Sequence, residues 1–152
     1  MNQEKEGQIV VYRLNDEYFA VNIMSIENIV KIPQITKVPM APYEYDGVMN
    51  LRGEVIPVMN LKKKFKASMV DYPLKSSRII IVKDDQNAIT GLMVDEVMEV
   101  LDLFADDTKE VSYQEAENSK EYRLGLWHYE DQLISLLDYN RLLHENEGKE
   151  HK

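Results

Sequence analysis

Cysteine is absent from the chain, which excludes disulfides, a thiol nucleophile and any thiolate metal site. Positive charge is scarce: 18 Lys and Arg face 27 Asp and Glu, leaving a net charge of −9. That balance argues against nucleic acid or an anionic membrane surface as a partner, because phosphate binding runs on positive charge. No stretch approaches the roughly 18 apolar residues of a membrane span. Met1–Gly7 is polar and mixed in charge, without the apolar segment of a signal peptide. The six glycines form no phosphate-cradling loop. The histidines are His128, His144 and His151, and no pair has metal-ligand spacing on a helix. The pairs Asp84-Asp85 and Asp106-Asp107 fall in polar turns or loops, where paired acids are ordinarily solvated. No serine stands in a nucleophile elbow. These absences predict a protein without catalytic residues, cofactor or metal, free of direct membrane insertion and cytoplasmic.

What is present favours strands. Forty-four per cent of the chain is apolar, and the apolar runs are short, β-branched and bounded by polar turns. Ile9–Leu14 and Tyr18–Val21 flank Asn15-Asp16-Glu17. Val48–Leu51 and Val55–Leu61 flank Arg52-Gly53-Glu54. Arg78–Lys83 and Ala88–Val94 flank Asp84–Asn87, and Leu124–Tyr129 and Gln132–Leu137 flank Glu130-Asp131. Pro57 cannot donate a ladder bond, so an edge or a bulge is expected there. Ser25–Val30 is ambiguous between a helical turn and a strand. Asp138 before Tyr139–Glu145 reads as the cap of a C-terminal helix.

The hairpins conceal a repeat. Gly47–Phe65 lies on Gly125–Leu143 without gaps, and every large apolar residue of the first copy meets an apolar residue of the second. Arg52-Gly53 falls on Glu130-Asp131, and Asn60 falls on Asp138, both good capping residues. Ile9–Leu14 corresponds to Ile79–Asp84. The spacing predicts an all-β domain over 8–144, built of approximate repeats 8–72 and 73–144, with 1–7 and 145–152 as disordered tails. Units of about 70 residues bury too little surface alone, so the two should pack face to face over one core. Lys31–Asp46, with Pro33, Pro39 and Pro42, should be extended. Ala105–Tyr122 should be an exposed acidic loop.

Two features stand out from this frame. Lys62, Lys63, Lys64 and Lys66 form the one basic run, read either as a solvated face after a cap at Asn60 or as a contact for an acidic partner. Arg52 sits at the tip of a tight hairpin before Gly53. It is either an ordinary exposed arginine or a rigidly presented anchor, since arginine's fork is a frequent hot-spot donor.

The segment Gly47-Val48-Met49-Asn50-Leu51-Arg52-Gly53-Glu54-Val55-Ile56-Pro57-Val58-Met59-Asn60-Leu61 resembles the signature of the CheW-type chemotaxis coupling family. Tyr18–Ile29 looks like the family's second strand and the segment after it, and Gly91–Val97 resembles its Gly-hydrophobic-Val-Asp-x-Val strand. The resemblance spans about Gln8–Leu143, with Asn60 where the family usually has Asp. It implies two packed SH3-like five-stranded β-barrel subdomains with a short C-terminal helix, and no enzymatic activity. It also implies two partners, the cytoplasmic tips of chemoreceptors and the regulatory domain of the histidine kinase CheA. Arg52, Gly47 and Ile26 match positions implicated in partner contact, with Asn50, Leu51 and Gly53 in the same motif. Asn28 occupies a position often Glu in relatives. The same module occurs in CheV and in CheA, so an excised module is the alternative, and a small ligand-binding β-barrel a more distant one.

Overall fold

The computed structural model describes residues 5–67, 73–104, 108–109 and 122–149. Among these the strands are β1 Lys5–Leu14, β2 Glu17–Asn22, β3 Ile26–Lys31, β4 Tyr45–Leu51, β5 Glu54–Asn60, β6 Arg78–Lys83, β7 Ile89–Val94, β8 Glu96–Phe104, β9 Thr108–Lys109, β10 Arg123–Tyr129 and β11 Gln132–Leu137. Helix α1 is Leu61–Lys64 and α2 is Tyr139–Lys149. The ambiguous segment divides: Ile23–Ser25 is a 3-10 turn capped by the Asn22 side chain, and β3 follows.

Both sheets have one plan. Lobe A orders β8-β1-β2-β11-β10, with two-residue β9 outside β10, and lobe B orders β3-β6-β7-β5-β4. Each consists of an edge strand and two antiparallel hairpins joined by one parallel seam. The seam is β2 with β11 in lobe A and β5 with β7 in lobe B. The repeats 8–72 and 73–144 are therefore not the lobes, which corrects the expectation that each repeat folds as its own unit. The chain leaves each first hairpin through a link that redirects it into the other sheet: Ile23–Ser25 after β2, and the single residue Asp95 after β7. Lobe B is the continuous stretch 26–94. Lobe A combines β1–β2 with the described residues from Glu96 onward.

Two-sided burial explains the apolar runs. Along β1, Val10, Tyr12 and Leu14 face a core shared by the lobes, while Ile9 and Val11 face the interior of lobe A with Ala20, Trp127 and Ile134. Along β6, Ile80 and Val82 face the shared core, while Ile79 and Ile81 face the interior of lobe B with Met49, Ile56 and Val58. Val30 from one edge strand and Leu51 from the other pack on that same interior cluster, so the sheet curls on itself as a barrel does. An aromatic column crosses the shared core: Tyr12, Phe19, Phe65 and Tyr122 stand at successive centroid distances of 5.7, 5.7 and 6.1 Å. Tyr122, expected at the end of an exposed loop, is buried in this column. Most of that loop lies outside the described residues.

Pro57 lies on an internal strand, not an edge. Its partner in β4 is Val48, whose N–H and C=O both bond Thr36 on the far side. The pair is thus non-hydrogen-bonded and needs no donor from Pro57. On the other side, pairing with β7 begins only at Val58. The ends also differ from expectation. Strand β1 starts at Lys5, and α2 continues to Lys149 through residues expected as a tail.

Candidate functional site

The β4–β5 hairpin presents its tip in a strained, fixed form. Arg52 has φ +53° and Gly53 φ +85°, so both central residues are left-handed, the requirement of a two-residue type I′ turn. Gly53 meets this freely; Arg52 carries a strain of roughly 1 kcal/mol. The Asn50 side chain braces the turn, its Oδ1 accepting from Gly53 N at 3.0 Å. Arg52 is exposed and Leu51 half-buried against the lobe B interior. The equivalent tip in lobe A is Glu130, also left-handed at φ +54°. The two tips share a left-handed first turn residue and carry opposite charges there.

Gly47 serves the site from below. It is buried with φ +144°, and a Cβ there would lie 2.2 Å from Thr36 O. The residue thus lets the 32–44 connector close on β4, where Thr36 and Val48 exchange two backbone bonds. Ile26 and Asn28 stand on β3, the opposite edge of the sheet. Ile26 packs on the shared core, and Asn28 Oδ1 accepts from Ile29 N. The structure therefore groups Gly47 and Asn50–Gly53 at one edge and places Ile26 and Asn28 at the other.

The sequence reading missed two apolar lips. Ile29 (37 % exposed) pairs Ile80, and Val100 (51 % exposed) pairs Val10. Ile80 and Val10 both lie in the shared core. Ile29 and Val100 thus extend that core onto the two edge strands. The available signal was that β3 and β8 carry apolar residues on both faces although each has a single neighbouring strand.

Lys62, Lys63 and Lys64 of the basic run are neither a solvated face nor a free contact, whereas Lys66 is exposed. Asn60 caps α1, accepting from the N–H groups of Lys62 and Lys63. Lys62 is buried with Nζ 3.0 Å from Asp95 Oδ1, Lys63 pairs Asp46 at 2.8 Å, and Lys64 lies 3.9 Å from Glu44. Asp95 also accepts from Asn15 N at 2.8 Å, and Lys62 Nζ reaches Asn15 Oδ1 at 3.3 Å. Helix α1, following the β4–β5 hairpin of lobe B, thereby straps the β1–β2 turn of lobe A. Helix α2 does the reverse. It follows lobe A and straps the β6–β7 turn of lobe B, with Asn140 Oδ1 accepting from Asp85 N at 2.9 Å and His144 Nε2 2.7 Å from Asp84 Oδ2.

Asp84, Asp85 and His144 come nearest to a metal-ligand set, with their ligand atoms within 4.8 Å of one another. The buried carboxylate is already committed: Asp84 Oδ1 accepts from Gln86 N and Ala88 N, and Oδ2 faces His144. Burial pushes the Asp84 carboxyl up, but these bonds together outweigh it and hold the group below its usual range. In the shared core, burial pushes the phenols of Tyr12 and Tyr139 up, so both keep their protons. The two hydroxyls bond each other, and Tyr139 donates to Ala20 O. These arrangements hold the fold together.

A family model described as the CheW-like domain matches residues 8–147. The Chemotaxis protein CheW of Thermotoga maritima is 32 % identical over 148 residues, covering 96 % of this chain and 93 % of that protein. The Chemotaxis protein CheW of Klebsiella aerogenes is 28 % identical over 145 residues, covering 95 % and 86 %. Among solved structures, the scaffolding protein TtCheW of Thermoanaerobacter tengcongensis superimposes with a TM-score of 0.80 at 32 % identity, over 90 % of this chain and 86 % of that one.

Proposed function

The chain belongs to the CheW-like domain family and is a chemotaxis coupling adaptor, and from that premise we propose that it joins the cytoplasmic tips of chemoreceptors to the regulatory domain of the histidine kinase CheA. The observation that carries the proposal is the β4–β5 tip, an exposed arginine on a type I′ turn braced by Asn50. A guanidinium held on so short a support loses little freedom when it engages a partner. A coupling protein needs two contact regions at once. The hairpin tip and the β3 edge, with its apolar lip at Ile29, lie at opposite edges of one sheet. The role is that of a non-catalytic scaffold. The buried Lys62–Asp95 and His144–Asp84 pairs support this, since each fastens a helix to a turn. Among the described residues no helix is long and apolar enough to cross a membrane, which is compatible with a place in the cytoplasm.

The test is a binding isotherm for the CheA regulatory domain and another for a receptor-tip fragment, then both partners together. We expect each to bind and the second to add to the first. An isotherm flat for both would end the proposal. Binding should survive moderate salt, because a few buried anchors lead interfaces of this kind. Loss of binding between low and physiological salt would instead indicate a charge-led contact, for which Lys62, Lys63 and Lys64 are poorly placed, each being paired within the fold.

A further inference from the structure

The ionisable groups of the two straps differ in kind. Strap α1 is fastened by a lysine, a side chain that ordinarily titrates far above neutrality. Strap α2 is fastened by His144, and histidine is the side chain whose charge ordinarily changes between about pH 5 and about pH 8. Its partner is preset. The Asp84 side chain is 2 % exposed, and two backbone N–H groups orient its carboxylate so that Oδ2 meets His144 Nε2 at 2.7 Å. Among the described charged groups where these elements meet, Asp85 also faces the ring, its carboxylate within 4.8 Å of a His144 nitrogen, and adds to the attraction for the protonated form; the rest are engaged elsewhere or exposed. Lys83, at the end of β6, pairs Glu27 of β3 at 3.3 Å. Asp138 accepts from Arg141 N at the start of the helix. Asp85 and the Arg141 side chain are exposed.

We propose that α2 is a proton-sensitive strap between the lobes. With His144 protonated, an ion pair to Asp84 closes it. With His144 neutral, a neutral hydrogen bond, the Asn140–Asp85 bond and the apolar contacts of Leu142 and Leu143 hold it. The strap therefore loosens as pH rises through the titration of His144, while α1 does not respond. One of the two fastenings between the lobes follows the proton concentration of its surroundings.

Amide hydrogen exchange on the full chain, read residue by residue and corrected for intrinsic exchange, tests this at about pH 5.5 and about pH 8. Protection of the α2 amides should fall on the order of fivefold at the higher pH, the difference between a charge-assisted and a neutral hydrogen bond. Protection at the α1 amides, and at the β1–β2 turn they strap, should hold. The midpoint should coincide with the titration of the His144 ring seen by NMR. His144→Gln keeps a neutral donor and should abolish the pH dependence, leaving α2 at the wild-type high-pH protection. Equal α2 protection at both pH values overturns the proposal. So does an α2 unprotected throughout, or a pH dependence that persists in His144→Gln.

Discussion

Helices α1 and α2 stand at equivalent places in the two repeats, each after the second hairpin, and each reaches the first-hairpin turn of its own repeat, which lies in the opposite lobe. Helix α1 is four residues long and works with one buried lysine on Asp95; α2 is eleven residues long and places Tyr139 and Leu142 in the shared core. One strap is short and ionic, the other long and largely apolar with a polar clasp. The difference teaches that the fold constrains where a fastening stands and leaves its chemistry free. It also teaches that the two fastenings should fail in different ways.

The largest expected effect is at α1. Lys62 and Asp95 have side chains 6 % and 8 % exposed, so Asp95→Ala strands a buried ammonium and should cost roughly 3–5 kcal/mol in denaturant unfolding. Adding Lys62→Met should recover most of that, because an apolar residue of similar volume can replace one arm of a buried pair. A double variant no more stable than Asp95→Ala would show that Asp95 acts mainly through Asn15 and not through the lysine.

At α2 the apolar part should dominate. Leu142 is 1 % exposed, and Leu142→Ala should cost about 3 kcal/mol, against under about 1 kcal/mol for His144→Gln. Equal costs would mean that the clasp, and not the packing, holds this helix.

A third comparison sets the two hairpin tips side by side. Arg52→Ala should cost on the order of 2 kcal/mol of partner binding, about thirtyfold in affinity, with Arg52→Lys only partly restoring it. Glu130→Ala, at a residue of matching φ and opposite charge, should leave that isotherm unchanged. Equal losses would point to backbone shape and not to the guanidinium. In melting curves Arg52→Ala should shift stability by under about 0.5 kcal/mol.

The pH response is the fourth. The Asp84 carboxyl is depressed in the folded chain, so its contribution is fully present above the ordinary aspartate value of about 3.9. It is lost as pH falls through the lower folded value. Acid titration followed by exchange at the Asp84–Asn87 turn should show that turn opening together with α2. Opening confined to α1 would contradict it.

Much of this was legible in the chain. The hairpins declared themselves through local periodicity and turn residues, and Asn60 and Asp138 announced two helix starts. Gly53 marked the tip that holds Arg52. The exchange of hairpins between sheets was not legible, because it rests on the seams Phe19–Ser135 and Met59–Leu92. These join residues far apart in sequence, and no local pattern encodes them. The same distance hid the lysine run. Lys62 meets Asp95 across 33 positions, and a run of like charges resembles a solvated face until its distant partners are in place. The left-handed Arg52 was missed for a different reason: only the glycine beside it advertises the conformation.

The uneven division of the chain between the lobes has a consequence for its synthesis. Lobe B is one stretch, 26–94, whereas lobe A needs β1–β2 from the start of the chain and β8, β10 and β11 from its end. A ribosome adding about 5–20 residues per second delivers all of lobe B first, while β1–β2 wait on the order of ten seconds for the strands that flank them. During that interval the first hairpin has unpaired edges on both sides. The surface at hand to cover it is the face of lobe B formed by Ile80, Val82, Leu92 and Val94, where Val10, Tyr12 and Leu14 finally rest. The core between the lobes can therefore assemble before one of the lobes is complete.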